Sequence, residues 1–125
     1  MLKILTIEDD KFLRELIRRK LQEVGFEAVS ASSGEEGLAL VKAEKPNLIL
    51  LDLIMPGMDG FTTLKELQKD PLLASIPVII LSNLGQQDDI DKAKQLGAVD
   101  FLVKAHFTPN EIVDKINQIL NKKEG

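Results

Sequence analysis

Two short stretches of this chain, Asn47-Leu48-Ile49-Leu50-Leu51-Asp52 and Ile76-Pro77-Val78-Ile79-Ile80-Leu81-Ser82, are almost wholly apolar until a polar residue closes each. Successive side chains of a strand point to opposite faces, so a strand without polar alternation must be covered on both. Parallel strands flanked by helices meet that condition.

The rest of the chain supplies the covers. Ile4-Leu5-Thr6-Ile7 and Phe101-Leu102-Val103 are further compact β-type runs, and Phe26-Glu27-Ala28-Val29-Ser30 alternates as an edge strand should. Helical spacing groups Leu13, Leu16, Ile17, Leu21 and Val24 on a first helix, and Phe61, Leu64 and Leu67 on a third. Ile90, Ala93 and Leu96 mark a fourth; Ile112, Val113, Ile116, Ile119 and Leu120 form the stripe of a last one. Ser33 and Glu36 have capping-box spacing, so a second helix starts there, runs to about Glu44 and stops before Pro46. Gly25 and Gly97 stand where helices end, and Thr108-Pro109-Asn110-Glu111 combines an N-cap, a first-position proline and a capping-box acid. The polar tail from Asn121 to Gly125 is expected to fray.

Strand–helix units joined by short links predict an α/β fold of three layers, doubly wound, with a five-stranded parallel sheet and five helices. With right-handed crossovers, the flavodoxin-like strand order 2-1-3-4-5 leads, and its ligand crevice opens at the carboxyl ends of strands 1 and 3. The 125 residues suit one domain over 1–125, with no internal linker. A net charge of −4 without a basic cluster argues against direct nucleic-acid binding. No apolar run approaches the roughly 20 residues of a membrane span, and the acidic N-terminus does not resemble a secretory signal. The absence of cysteine excludes disulfides and thiolate chemistry and is compatible with a cytoplasmic location.

On this plan Glu8, Asp9 and Asp10 follow the first strand, Asp52 ends the third, Ser82 ends the fourth and Lys104 follows the fifth. All these strand ends share one edge. Asp10 is accounted for as a helix N-cap; Asp52 is not, because a loop, Leu53 to Gly60, follows it. Clustered carboxylates repel one another unless a cation intervenes, and an all-oxygen donor set suits Mg²⁺. A cation beside a carboxylate, a lysine and a hydroxyl is the equipment of phosphoryl transfer, in which a carboxylate can be the nucleophile.

Glu8-Asp9-Asp10, Asp52-Leu53-Ile54-Met55-Pro56-Gly57-Met58-Asp59-Gly60, Ser82 after Pro77-Val78-Ile79-Ile80-Leu81, and Phe101-Leu102-Val103-Lys104 together resemble the response-regulator receiver domain of two-component systems, in its chemotaxis-type, stand-alone form. The resemblance covers Lys3 to about Leu120. It implies a phosphoprotein switch rather than a conventional enzyme. Asp52 would take a phosphoryl group from a histidine kinase or phosphotransfer protein. Asp9 and Asp52 would bind Mg²⁺, Glu8 through a water, and the Ile54 backbone carbonyl as a further ligand. Ser82 and Lys104 would contact the phosphoryl group, and Phe101 matches an aromatic switch position. The surface of the fourth helix, fifth strand and fifth helix would then change its contact with a downstream protein, with a phosphorylation-dependent homodimer as one form of output.

The chain also departs from the pattern. Ala105 follows Lys104 where the family usually has proline, so the bond between them is expected to be either trans or a strained cis. The loop to Pro109 is one residue longer than usual. Asn83 stands where very small residues are common. Ile54 and Leu84 flank the path of an attacking water and cannot orient it, so phospho-Asp52 is expected to be long-lived. His106 reads as a surface loop residue, and Met55, Pro56 and Met58 as loop packing. Against a phosphohydrolase, Ile54 stands where a second carboxylate would serve as general acid. Against a nucleotide or flavin carrier, there is no glycine-rich phosphate loop and no Trp or Tyr.

Overall fold

The computed structural model describes residues 1–124, with side chains to Asn121; the fraying expected of the final residues lies outside them. In chain order the elements are β1 (Lys3–Ile7), α1 (Lys11–Glu23), β2 (Glu27–Ala31), α2 (Gly34–Glu44), β3 (Leu48–Leu51), α3 (Gly60–Lys69), β4 (Val78–Ser82), α4 (Gln87–Gln95), β5 (Asp100–Val103) and α5 (Pro109–Glu124). A single 3₁₀ turn, Lys104–His106, joins β5 to α5. The strands form one parallel sheet in the order β2-β1-β3-β4-β5, as the patterning predicts.

The two-sided burial has a simple residue-level form. Leu48 and Leu50 of β3, with Ile79 and Leu81 of β4, face Ile17 and Leu21 of α1 and Ile112, Val113, Ile116 and Leu120 of α5. Ile49 and Leu51, with Val78 and Ile80, face the other way, onto Val41 of α2, Leu64 and Leu67 of α3 and Ala93 of α4. Each strand therefore feeds two cores, and burying one such aliphatic side chain contributes about 1.5–3 kcal/mol.

The helix ends follow local chemistry. After α1, the Gly25 N–H donates to the Gln22 carbonyl and the Phe26 N–H to that of Leu21, while Gly25 takes φ +99°. After α4, Gly97 and Ala98 repeat the arrangement on Lys94 and Ala93, with Gly97 at φ +105°. Both are Schellman closures, which place a residue in the left-handed region that glycine enters without strain. At α5, Thr108 Oγ1 accepts from the Glu111 N–H, and Glu111 Oε1 from the Thr108 N–H, a complete capping box. At α2 the box is displaced: Ser33 Oγ accepts from the Glu36 N–H, but Glu36 reaches back to the N–H of Ser32. That helix ends on Lys45 in the left-handed region, φ 47°, ahead of Pro46.

Three features differ from the expected pattern. Leu16 and Val24 are exposed, as is Phe12, at 90% the most open aromatic position. α1 is covered only by the sheet and α5, so its apolar stripe is narrower than its periodicity. Residues 70–76 form a turn ordered by Asp70, whose carbonyl accepts from Leu73 and Ala74 and whose Oδ1 accepts from the Leu72 N–H. Finally, α4 is lightly held: Ala93 is its one buried residue, Gln86 supplies no side-chain cap, and Lys92 lies 4.2 Å from the centre of the Phe61 ring on α3.

Candidate functional site

Strand register brings the acidic residues together. Ile7 pairs with Leu51, so Glu8 and Asp52 are the next residues on adjacent central strands. The Asp52 N–H donates to the Ile7 carbonyl at 3.0 Å, and the Glu8 N–H to that of Ala31 at 3.0 Å. On the other side Ser82 pairs with Val103, which carries Lys104 to the same edge.

One carboxylate oxygen each from Glu8, Asp9 and Asp52 lie within 4.8 Å of one another. Lys104 Nζ is 2.6 Å from Glu8 Oε1 and 3.0 Å from Asp52 Oδ2. Glu8 and Asp52 are buried, while Asp9 is exposed at the rim. Main-chain donors complete the shell: Asp10 N–H to Glu8 Oε2 at 3.0 Å, and Ile54 N–H to Asp52 Oδ1 at 3.3 Å.

Burial pushes the Glu8 carboxyl up to about 7, with the Asp52 charge adding to it and the Lys104 and Asp10 hydrogen bonds opposing it. Burial alone would lower the Lys104 ammonium, but its bonds to Glu8 and Asp52 outweigh that and raise it. Three carboxylates against one ammonium leave an excess of negative charge in a place poor in water. The donor set is all oxygen, and the two deepest carboxylates already share their one cation. This is the chemistry a hard divalent ion fits.

The remaining sequence-predicted residues divide. Asp10 is a helix cap, its Oδ1 accepting from the N–H groups of Phe12 and Leu13. Ser82 is fully buried at the end of β4, its Oγ accepting from the Leu84 N–H at 3.3 Å; among the described residues no hydrogen bond joins it to the acidic cluster. Phe101, opposite Ile80 in β5, is half-buried and packs on the α2–α3–α4 side of the sheet. Ile54 is 57% exposed, Asn83 and His106 are exposed, and Leu84 is half-buried. Met55 is core packing. All peptide bonds among the described residues are trans, including Lys104–Ala105.

Gly60 was not singled out by the sequence. Its N–H donates to the Leu53 carbonyl at 3.0 Å, and a Cβ there would overlap the Asp52 carbonyl oxygen and lie 2.6 Å from Leu53 Cα. The loop after Asp52 thus closes on its own beginning. Asp59 just before it caps α3, its Oδ1 accepting from the Thr62 N–H, which with burial opposing holds the carboxyl below its usual range. The adjacency of a capping Asp and a Gly was the available signal.

Comparison with known proteins gives a consistent picture. The family model described as "Response regulator receiver domain" matches residues 4–117. A probable transcriptional regulator, ycf27 of Porphyridium aerugineum, is 38% identical over 96% of this chain and 48% of its own length. The phosphate regulon transcriptional regulatory protein PhoB of Pseudomonas aeruginosa is 33% identical over 95% of this chain and 52% of its own. The chain therefore spans about half the length of the curated relatives it matches. Among solved structures, the receiver domain of the Francisella response regulator 1452 superposes with a TM-score of 0.90 at 33% identity, over 100% of both chains. Chemotaxis protein CheY4 of Vibrio cholerae superposes at 0.89 with 27% identity, over 94% of this chain and 98% of that one.

Proposed function

This chain belongs to the response-regulator receiver family, and from that premise we propose that Asp52 is its phosphoacceptor, loaded by a histidine kinase or phosphotransfer protein. Receiver domains are signalling switches rather than conventional enzymes, and they bind Mg²⁺ at an acidic pocket of the kind described above. The observation that carries the reading is the Lys104 ammonium lodged between Glu8 and Asp52 at the carboxyl end of the sheet.

An Asp52 carboxylate oxygen forms the new bond to phosphorus while the phosphorus–nitrogen bond of the donor phosphohistidine, whose other ring nitrogen already carries a proton, breaks and neutral imidazole leaves. Lys104, already 3.0 Å from Asp52 Oδ2, counters the charge that accumulates on the transferring oxygens. Ile54 N–H holds the other Asp52 oxygen and so fixes which lone pair faces the donor. Glu8, Asp9, Asp52 and the Ile54 carbonyl would hold Mg²⁺, which when bound supplies charge neutralisation for the phosphoryl oxygens. The product puts a phosphate group of about −1.5 to −2 charges where a carboxylate of −1 stood, a net gain of about one negative charge or less at a buried edge.

Ser82 is the nearby hydroxyl able to answer that charge, by turning from the Leu84 N–H toward the new oxygens. Phe101 then rotates into the space left beside β4, and the α4–β5–α5 surface changes shape. The light anchoring of α4 supports this route. The output is a protein–protein contact, and a bias of about 1.4 kcal/mol shifts the two-state ratio tenfold.

Acetyl phosphate with and without Mg²⁺, followed by intact-mass measurement, tests the reading. The expected result is a gain of one phosphoryl group that needs Mg²⁺ and is lost in Asp52→Asn. Rapid turnover of the donor without a phosphoprotein would point to a phosphohydrolase instead.

A further inference from the structure

Arg14 has a place in the molecule that the proposed site does not use. From the first full turn of α1, its Nη1 donates to the Glu8 carbonyl at 2.8 Å and meets the Asp9 carbonyl at 3.4 Å. Helical side chains slant toward the N-terminus, so a residue at this position lies back over the turn that precedes the helix. That turn, Glu8-Asp9-Asp10, is wholly acidic. Among the described residues, Arg14 forms no ion pair with the carboxylates of Glu8 or Asp9. It grips the main chain beneath them and leaves their oxygens to face the crevice.

We infer that Arg14 is a positioning residue for the metal-binding turn, fixing the backbone from which the Glu8 and Asp9 carboxylates project. The inference rests on the Mg²⁺ part of the reading above. It also has a sign that electrostatics alone does not give. A guanidinium close to a cation site repels the cation, so removing its charge would by itself tighten Mg²⁺ binding. Removing a clamp that holds two ligand-bearing residues loosens it, and groups that orient metal ligands are typically worth about 10–100-fold in affinity.

The test is amide NMR titration of the full chain with Mg²⁺ alone, since the protein has no Trp or Tyr to report binding by fluorescence. Arg14→Met is expected to weaken Mg²⁺ binding about tenfold or more. Arg14→Lys, which keeps the charge but not the length of the guanidinium, is expected to fall between the two. Arg18→Met, one turn on and bonded to Glu15 and Gln22, should remain within about twofold of wild type even if it lowers Tm. Unchanged or tighter binding in Arg14→Met overturns the assignment. Should Arg14→Met not fold, unchanged binding in Arg14→Lys overturns it. Wild-type protein whose Mg²⁺ response is absent, or survives Asp9→Asn, takes down the metal reading and this inference together. A response lost in Asp9→Asn but intact in the Arg14 variants takes down this inference alone.

Discussion

The Lys104 ammonium lies 2.6 Å from the carboxylate of Glu8, a side chain only 2% exposed. A buried acid held by a lysine from the far side of the sheet is costly to build, because desolvation of both charges offsets most of their attraction. Its presence here beside two more carboxylates marks an edge tuned for charge rather than for stability.

Glu8 makes the stability of the metal-free protein depend on pH. Its carboxyl titrates near 7 in the fold against an ordinary 4.5, so between those values the folded state binds more protons than the unfolded state. The resulting contribution is fully present below about pH 4.5 and is lost as pH rises through 7. Urea unfolding should show Glu8→Gln flattening this decline and stabilising the apo protein by about 1–3 kcal/mol near pH 8. Mg²⁺ should bind more tightly as pH rises through about 7, since the metal and the proton compete for the same oxygens.

Lys104→Met should act in the opposite sense. It leaves Glu8 and Asp52 buried without their shared cation, which costs about 3 kcal/mol near pH 8. The cost should shrink near pH 5, where a protonated Glu8 no longer needs the ammonium. In a ¹³C titration of the side-chain carboxyls, the Glu8 midpoint should move above 7. A midpoint that stays in place would show that Lys104 does not set it.

The apolar pair flanking the proposed phosphoryl position predicts a slow loss of phosphate. Ile54 is open to solvent and Leu84 half-buried, and neither can hydrogen-bond an attacking water. Ile54→Asn or Leu84→Gln should shorten the phospho-Asp52 lifetime about tenfold, equivalent to about 1.4 kcal/mol off the barrier. Decay of the phosphorylated mass after removal of acetyl phosphate gives the comparison; equal lifetimes would remove these residues from the account.

Gly60→Ala should be disproportionately harmful for one methyl. The added carbon meets main chain, not a flexible side-chain end, so α3 must draw back or the Asp52 peptide must tilt. A destabilisation of about 1–3 kcal/mol is expected by chemical denaturation. Phosphorylation by acetyl phosphate should slow further than the loss of folded protein explains.

Much of this architecture could be read from the chain because the central strands state their surroundings: Ile49 and Leu50 point to opposite faces, and both are apolar. Gly25, Gly97 and the Thr108–Glu111 box are equally local, each depending on residues within one turn. What escaped reading depends on neighbours distant in sequence or on direction. Periodicity groups Leu16 with Ile17, but only the width of the covering layer says that Leu16 is exposed. Asp52 could be assigned to an edge; that its peptide is pressed by Gly60 depends on where α3 begins. Nothing in the sequence separates Arg14 from the other basic residues of α1; the slant of its side chain over the turn behind it does.

Ala93 is the one fully buried residue of α4, so this helix rests on the molecule by a methyl group, the half-buried Leu96 at its end and a lysine over a ring. Lifting it sacrifices little dispersion energy and opens no large void. An outer wall so lightly mortared can be reset many times without disturbing the masonry within, as the proposed switch would require.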